Sequence, residues 1–191
     1  MDIDVVITTL PDSNREWFSR CLNSLKDEPV NLYFVNGKRG QIGYGRAESL
    51  RCGSLPYIAF VDPDDEVEPG IFKKIIPLLS DYPVHVYTDE ILIDEDGNKI
   101  CDGWSIDRDI LNKVPKDLIP LLWDKQNKSY FHHLNVFSRD EALLYLQKLY
   151  VGHRGIEGFL FQHIGKFGTV KHLSEIGYRW RMHKHNISNH F

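Results

Sequence analysis

The chain has 191 residues, 42% of them hydrophobic and 26% charged, with a net charge of −4. That is the composition of an ordinary globular protein with enough chain to bury one sizeable core, and no apolar run approaches the ~20 residues that cross a bilayer. Cys21, Cys52 and Cys101 are odd in number and far apart. They make neither a CxxC metal pattern nor a disulfide framework, and reduced, mostly buried thiols are expected.

The opening MDIDVVITTLPD carries two acids and runs straight into an apolar stretch. It has neither a basic leader region nor a signal core, so a cytoplasmic protein is expected. Residues 3–10 are short, apolar and β-branched, which suits a buried strand. Pro11, Asp12, Ser13 and Asn14 form a turn and helix cap. Residues 15–26 place Trp17, Phe18, Cys21, Leu22 and Leu25 on one helical face. Residues 30–36 alternate as a second strand and stop at Gly37. A glycine-rich loop then leads into a helix start around Arg46. YIAFVD, residues 57–62, is a third strand, apolar until Asp62. A helix is expected at 71–80, then a strand or strand pair over 84–94 with a hairpin turn at DEDGN. Alternation of strands with helices of this length points to an α/β fold: one mostly parallel central sheet covered by helices.

From Cys101 to Lys128 the pattern weakens into a long connection, the kind that is commonly functional. YFHHLNVFS returns to the sheet, 139–150 reads as an amphipathic helix, and 155–168 as a second helical stretch. Residues 169–183 finish as a strand or strand pair, and 185–191 form a tail. Charge divides unevenly along this course. Residues 1–128 hold 15 Lys+Arg against 23 Asp+Glu, whereas 129–191 hold 8 against 4. An acidic cation site in the first part and an anion-facing surface in the second is one reading; chance asymmetry within one folded unit is the other.

Asp62, Asp64 and Asp65 stand directly behind the third strand, in VDPDDEVEPG. A strand ending in carboxylates delivers them to the carboxyl edge of the sheet, where open α/β sheets bind ligands. Asp62 and Asp64 share one face in extended chain, and Pro63 stiffens the turn. Such a run is either an acidic turn facing water or a site for a hard cation such as Mg²⁺ or Mn²⁺.

The company of this run favours a site. Residues 40–65, GQIGYGRAESLRCGSLPYIAFVDPDD, resemble the central signature of family 2 glycosyltransferases of the GT-A fold. There a glycine-containing loop leads to an Arg pair at a helix opening, followed by a strand ending in D-x-D-D. Arg46 and Ala47 match the pair, and Asp62 and Asp64 match the acids. VVITTL resembles the first strand of that family, and VYTDEILIDEDGN the strand and hairpin behind its metal motif. GYRWRMHKHNIS is similar to its closing element, in which a histidine completes the metal shell. LYFVNG matches the second strand, with Asn36 in place of the family's acid. RGIEGF matches the helix start that bears its catalytic base, with Glu157 followed by Gly158 where an Asp is expected.

The resemblance implies a single GT-A-like domain over 1–191, with 1–100 binding nucleotide sugar and metal and 101–191 on the acceptor side. It implies transfer of a sugar, with inversion, from a nucleotide-diphosphate sugar such as a UDP-sugar to an acceptor hydroxyl, assisted by Mn²⁺ or Mg²⁺. Thr8, Thr9, Asn36, Arg46, Asp62 and Arg181 would meet the donor, with Arg181 facing phosphate. Asp64 and His183 would hold the metal. Glu157 would be the base, with Asp89 the alternative if the missing Asp matters. Asp89 and Trp104 fall on the acceptor side, Trp104 as a sugar-stacking platform or a core anchor. One of the adjacent His132 and His133 is a further candidate for lining the acceptor cleft. The acceptor is a glycan, a lipid-linked sugar or, from the basic second half, a hydroxylated base in DNA. The Asn36 and Gly158 departures leave a nucleotide-sugar-binding module without transferase activity as another reading. A nucleotidyltransferase shares the acidic strand end.

Overall fold

The β-branched run IDVVITT forms β1 (Ile3–Thr9), its first five residues buried. Asn14 then caps α1 (Arg15–Leu25), its side-chain oxygen accepting the backbone N–H groups of Glu16 and Trp17 at 2.9 and 3.2 Å. These details come from a computed structural model of the chain, which describes residues 2–102, 134–147, 164 and 168–183. β2 (Asn31–Asn36), α2 (Ile42–Leu50), β3 (Tyr57–Val61) and the short β4 (Glu66–Val67) follow. Next come α3 (Ile71–Ile75), β5 (His85–Ile93) and β6 (Lys99–Asp102). β7 (Asn135–Ser138), α4 (Arg139–Leu143) and β8 (Val170–Arg181) complete the described elements.

The eight strands form one sheet in the order β2-β1-β3-β7-β5-β8-β4, with β6 beside β5. β1 pairs in parallel with β2 and β3, and β5 in parallel with β8. β7 enters between β3 and β5 and runs against both. β4 and β6 are also antiparallel to their neighbours. The sheet is therefore mixed rather than mostly parallel in its pairings. Even so, β1, β2, β3, β5 and β8 all point the same way, so their carboxyl ends share one edge.

Two apolar layers cover the sheet. On one face Tyr57, Ala59, Val61, Val86 and Val136 pack with Cys21 and Leu25 of α1 and with Ile71, Phe72 and Ile75 of α3. On the other, Val6, Ile58, Phe60, Tyr87 and Phe137 pack with Ala47 and Leu50 of α2. A buried ion pair ties the sheet's amino end together. Arg139 Nη2 meets Asp4 Oδ2 at 2.7 Å, and the same guanidinium donates to the carbonyls of Leu50 and Leu55.

Three local expectations change. The helix over 71–80 stops at Ile75 and continues as a 3₁₀ turn over Ile76–Asp81. Pro77 explains it, since its ring lacks the N–H that would bond to the carbonyl of Lys73. Within the helix expected over 139–150, Arg139–Leu143 is helical, Leu144 and Tyr145 form a turn, and helix resumes at Leu146. Of the thiols, Cys21 is buried, Cys52 is partly so and Cys101 is exposed.

Candidate functional site

The carboxyl edge gathers the ends of three parallel strands. Ile7 pairs with Val61, so Thr8 stands level with Asp62, and Thr9 pairs with Asn36. Asn36 is exposed at the end of β2, and Thr8 and Thr9 are half-buried. Thr8 is the floor on which two segments close. A Cβ on Gly45 would lie 2.7 Å from its Cγ2, and one on Gly37 2.8 Å. Only glycine lets α2 and the loop behind β2 approach the strand this closely. The Thr8 hydroxyl is within 3.3 Å of the Ser49 hydroxyl.

α2 starts at Ile42, so Arg46 occupies its second turn rather than its N-terminus. Backbone N–H donors of a helix start are thus not what Arg46 brings. Its side chain is buried, lies over the Phe60 ring at 5.0 Å, and donates from Nη2 to Asp62 Oδ1 at 2.8 Å. Asp62 keeps 39% of its side chain exposed. The pair presents one charged face to the edge, held from behind by packing.

Asp64 and His183 meet next to it. His183 Nε2 lies 2.8 Å from Asp64 Oδ2, and its ring packs on Trp17 of α1 with centroids 4.6 Å apart. Trp17 is itself anchored by its indole N–H on the carbonyl of Glu95, at 3.2 Å. The cap at Asn14 therefore has a functional reach, because it fixes the helix start that carries the wall behind His183.

Asp65 points inward. It is 2% exposed, and its two oxygens accept the backbone N–H of Arg181 at 2.7 Å and the Tyr178 hydroxyl at 2.9 Å. Tyr178 in turn accepts the N–H of Asp62 at 3.1 Å. Burial pushes the Asp65 carboxyl well above the usual carboxylate range, and the charges of Asp64 and Asp62 push the same way. Burial, then the charges of Asp65 and Asp62, also raise the Tyr178 phenol and the Cys21 thiol. The negative charge that Asp62 and Asp64 bring to this turn favours a cation.

Arg181 differs from its expected place. It is fully buried, and its guanidinium is engaged by protein. Nε donates to the carbonyl of Asp64 at 2.8 Å, Nη1 to those of Asp94 and Glu95 at 2.8 and 2.9 Å, and Nη2 to the Glu66 carboxylate. With these donors turned to the acidic turn and the β5–β6 hairpin, it shapes the turn. Asp89 stands at the same edge on β5, half-buried and bonded to His172. Glu157, Trp104, His132 and His133 lie outside the described residues. Sequence reasoning missed Trp17, Tyr178 and His172. Tyr178 carried a signal, since a tyrosine beside two arginines near the end of a strand has a hydroxyl that needs a buried partner.

Among the described residues no three of His, Cys, Asp and Glu converge as a metal group. At the acidic turn, Asp64 and His183 are a carboxylate–imidazole pair that could supply two donors. Mg²⁺ is commonly bound by one or two protein ligands and completed by water and phosphate oxygens. The donor set fits a cation that arrives with a diphosphate, not one caged by protein alone. No helix among the described residues is long and apolar enough to cross a membrane.

No protein-family model and no curated sequence matches the chain. Solved structures do match it. Residues 1–349 of S. aureus TarS superpose with a TM-score of 0.63 at 14% identity, over 95% of this chain and 60% of that one. The same segment in complex with UDP-GlcNAc gives 0.64 at 14%, over 96% and 59%. S. aureus TarS in a further crystal structure gives 0.65 at 13%, over 95% and 37%. The likeness is one of fold alone, and the chain spans about 60% of the shorter TarS structure.

Proposed function

We propose that this chain is a metal-assisted glycosyltransferase that moves a sugar from a UDP-sugar to an acceptor hydroxyl with inversion at the sugar carbon. The observation that carries the reading is the pair of contacts side by side at the carboxyl edge, Arg46–Asp62 and Asp64–His183. It is supported by the fold shared with TarS, which has been crystallised with UDP-GlcNAc and with UDP.

In this reading Thr8, Thr9 and Asn36 line the nucleoside end of the groove. Asp62, oriented by Arg46, meets the ribose. Arg46 adds positive charge where the leaving diphosphate gathers negative charge. Asp64 and His183 hold Mn²⁺ or Mg²⁺, which when bound neutralises that diphosphate. Asp65, Tyr178 and Arg181 keep the acidic turn in shape from beneath. A carboxylate accepts the proton of the attacking hydroxyl. The acceptor is a sugar hydroxyl of a glycan or a lipid-linked sugar.

The test is calorimetry of the full chain with UDP, with and without Mn²⁺, followed by UDP release from a panel of UDP-sugars with water as acceptor. Binding strengthened by Mn²⁺ and slow UDP release are expected. Absence of UDP binding in the presence of Mn²⁺ sinks the reading. Asn36, standing where the resemblance expects an acid, favours one alternative, a nucleotide-sugar-binding module. Binding of UDP-sugars with no turnover selects it.

A further inference from the structure

β5 brings another carboxylate to the level of Asp62. Ile58 pairs with Phe137, and Phe137 pairs with His85. Counting along the parallel strands from Ile58 and His85, Asp62 and Asp89 reach the same height. β7 stands between β3 and β5, so the two strands lie two spacings apart, about 10 Å. Both acids lie on the α2 face. Asp62 bonds to Arg46 of that helix, and Asp89 bonds to His172, whose ring stacks at 4.6 Å on Tyr87 of the α2-side core. His172 Nε2 is 2.8 Å from Asp89 Oδ1, with the two side chains 21% and 26% exposed.

The backbone is bent at this point. Pairing of β5 with β8 runs evenly from His85↔Val170 to Thr88↔Leu173, then jumps to Asp89↔Ile176 and to Glu90↔Tyr178. Ser174, Glu175 and Gly177 are extra residues in β8, bulged on both sides of the Asp89 pairing. Bulges of this kind re-aim side chains and concentrate near active sites. Gly177 makes the second one possible, since a Cβ there would lie 2.3 Å from Thr88 Oγ1. The other acids near this edge serve elsewhere. Asp64 meets His183, and Asp65 is buried on Tyr178 and Arg181. Glu90 is buried on the opposite face, and Asp94 accepts the N–H groups of its own hairpin turn.

We propose that Asp89 is the proton acceptor for the attacking hydroxyl and that His172 is its positioning residue. The inference rests on the glycosyltransferase reading above. In the step, the acceptor oxygen bonds to the anomeric carbon as the bond from that carbon to the diphosphate oxygen breaks. The electron pair leaves on UDP, and the hydroxyl proton passes to the Asp89 carboxylate. His172 donates from Nε2 to Oδ1, holding the carboxylate in one rotamer from the neighbouring strand. The role expected of Glu157 is thereby moved to β5.

The test uses the full chain with UDP-GlcNAc, or whichever UDP-sugar of the panel it turns over, with Mn²⁺ present. UDP release, UDP binding and thermal melting are measured for wild type, Asp89→Asn, His172→Phe, His172→Gln and Glu157→Gln. Asp89→Asn should lower kcat about 100-fold, the usual reach of a general base, with UDP affinity within about twofold. His172→Phe keeps the stack on Tyr87 and loses the donor, so kcat should fall about tenfold. His172→Gln restores an N–H donor and should recover most of that loss. The proposal is overturned if Asp89→Asn keeps wild-type kcat, if it loses UDP binding in step with kcat, or if His172→Phe changes only the melting temperature. A wild-type chain that turns over no UDP-sugar overturns the glycosyltransferase reading itself. Wild-type turnover that survives in Asp89→Asn but not in Glu157→Gln overturns this inference alone.

Discussion

The Tyr178 hydroxyl donates to the Asp65 carboxylate at 2.9 Å inside the protein, while accepting the N–H of Asp62 at 3.1 Å. One phenol thus joins both ends of the acidic turn to β8. Tyr178→Phe removes a donor and an acceptor at once and leaves two buried polar groups short of a partner. A loss of about 2 kcal/mol in urea unfolding is expected. An unchanged midpoint would show that the turn is held by Arg181 alone.

Arg46 is tested by Arg46→Lys. The lysine keeps a charge but loses the guanidinium that lies over the Phe60 ring and cannot reproduce its geometry toward Asp62. UDP affinity should fall about tenfold, as for a lost charge-assisted contact. Calorimetry that finds equal affinity removes Arg46 from the donor site.

Asp64→Ala and His183→Ala address the cation. Each should weaken the Mn²⁺-dependent part of UDP binding and cut UDP release by about 100-fold or more. Chelation of divalent ions from the wild type should reproduce the defect, and added Mn²⁺ should reverse it. Full turnover by Asp64→Ala in metal-free buffer would end the metal-assisted scheme.

His85 gives a pH dependence away from the site. It is buried between the Tyr87 and Phe137 rings, 2.9 Å from the Asn135 side-chain oxygen. Burial lowers its pKa from 6.5 to about 4, only partly offset by the bond to Asn135. Between those values the unfolded chain binds a proton at this residue and the folded chain does not. Stability therefore rises with pH across that window and is lost as pH falls through it, by up to about 3 kcal/mol. His85→Gln should flatten this part of the curve in denaturant titrations at pH 4 to 6.5. A wild-type slope in the variant would assign the effect to other groups.

What could be read before the fold was known follows from local physics. The β-branched run of β1 and the stripe of Trp17, Phe18, Cys21, Leu22 and Leu25 are local signals, and both elements are there. The family resemblance had assigned Arg46 and Asp62 separately to the donor and His183 with Asp64 to the metal; the direct Arg46–Asp62 bond was not read from it. The direction of β7 was not legible, because nothing local in NVFS tells a strand which way it enters a sheet. The burial of Arg181 was not legible, for a general reason. An arginine is ordinarily an exposed cation, and its burial here depends on three carbonyls and Glu66 converging from separate segments. The Asp89–His172 contact was equally hidden, since it joins residues 83 positions apart on two strands whose pairing nothing local announces. The break at Pro77 was legible in principle, and the rule that finds it is simple.

The contact between Asp64 and His183 joins residues 119 positions apart, and Asp65 reaches Arg181 and Tyr178 over 116 and 113. Closing loops of that length is a slow, late event in folding. On a ribosome the acidic turn emerges long before its partners. Until β8 docks, three like charges repel one another with no histidine, tyrosine or arginine to hold them. The order of synthesis thus sets the order of competence: the strand that carries the acids is made early, and the ability to hold a cation arrives with the strand made last of those described.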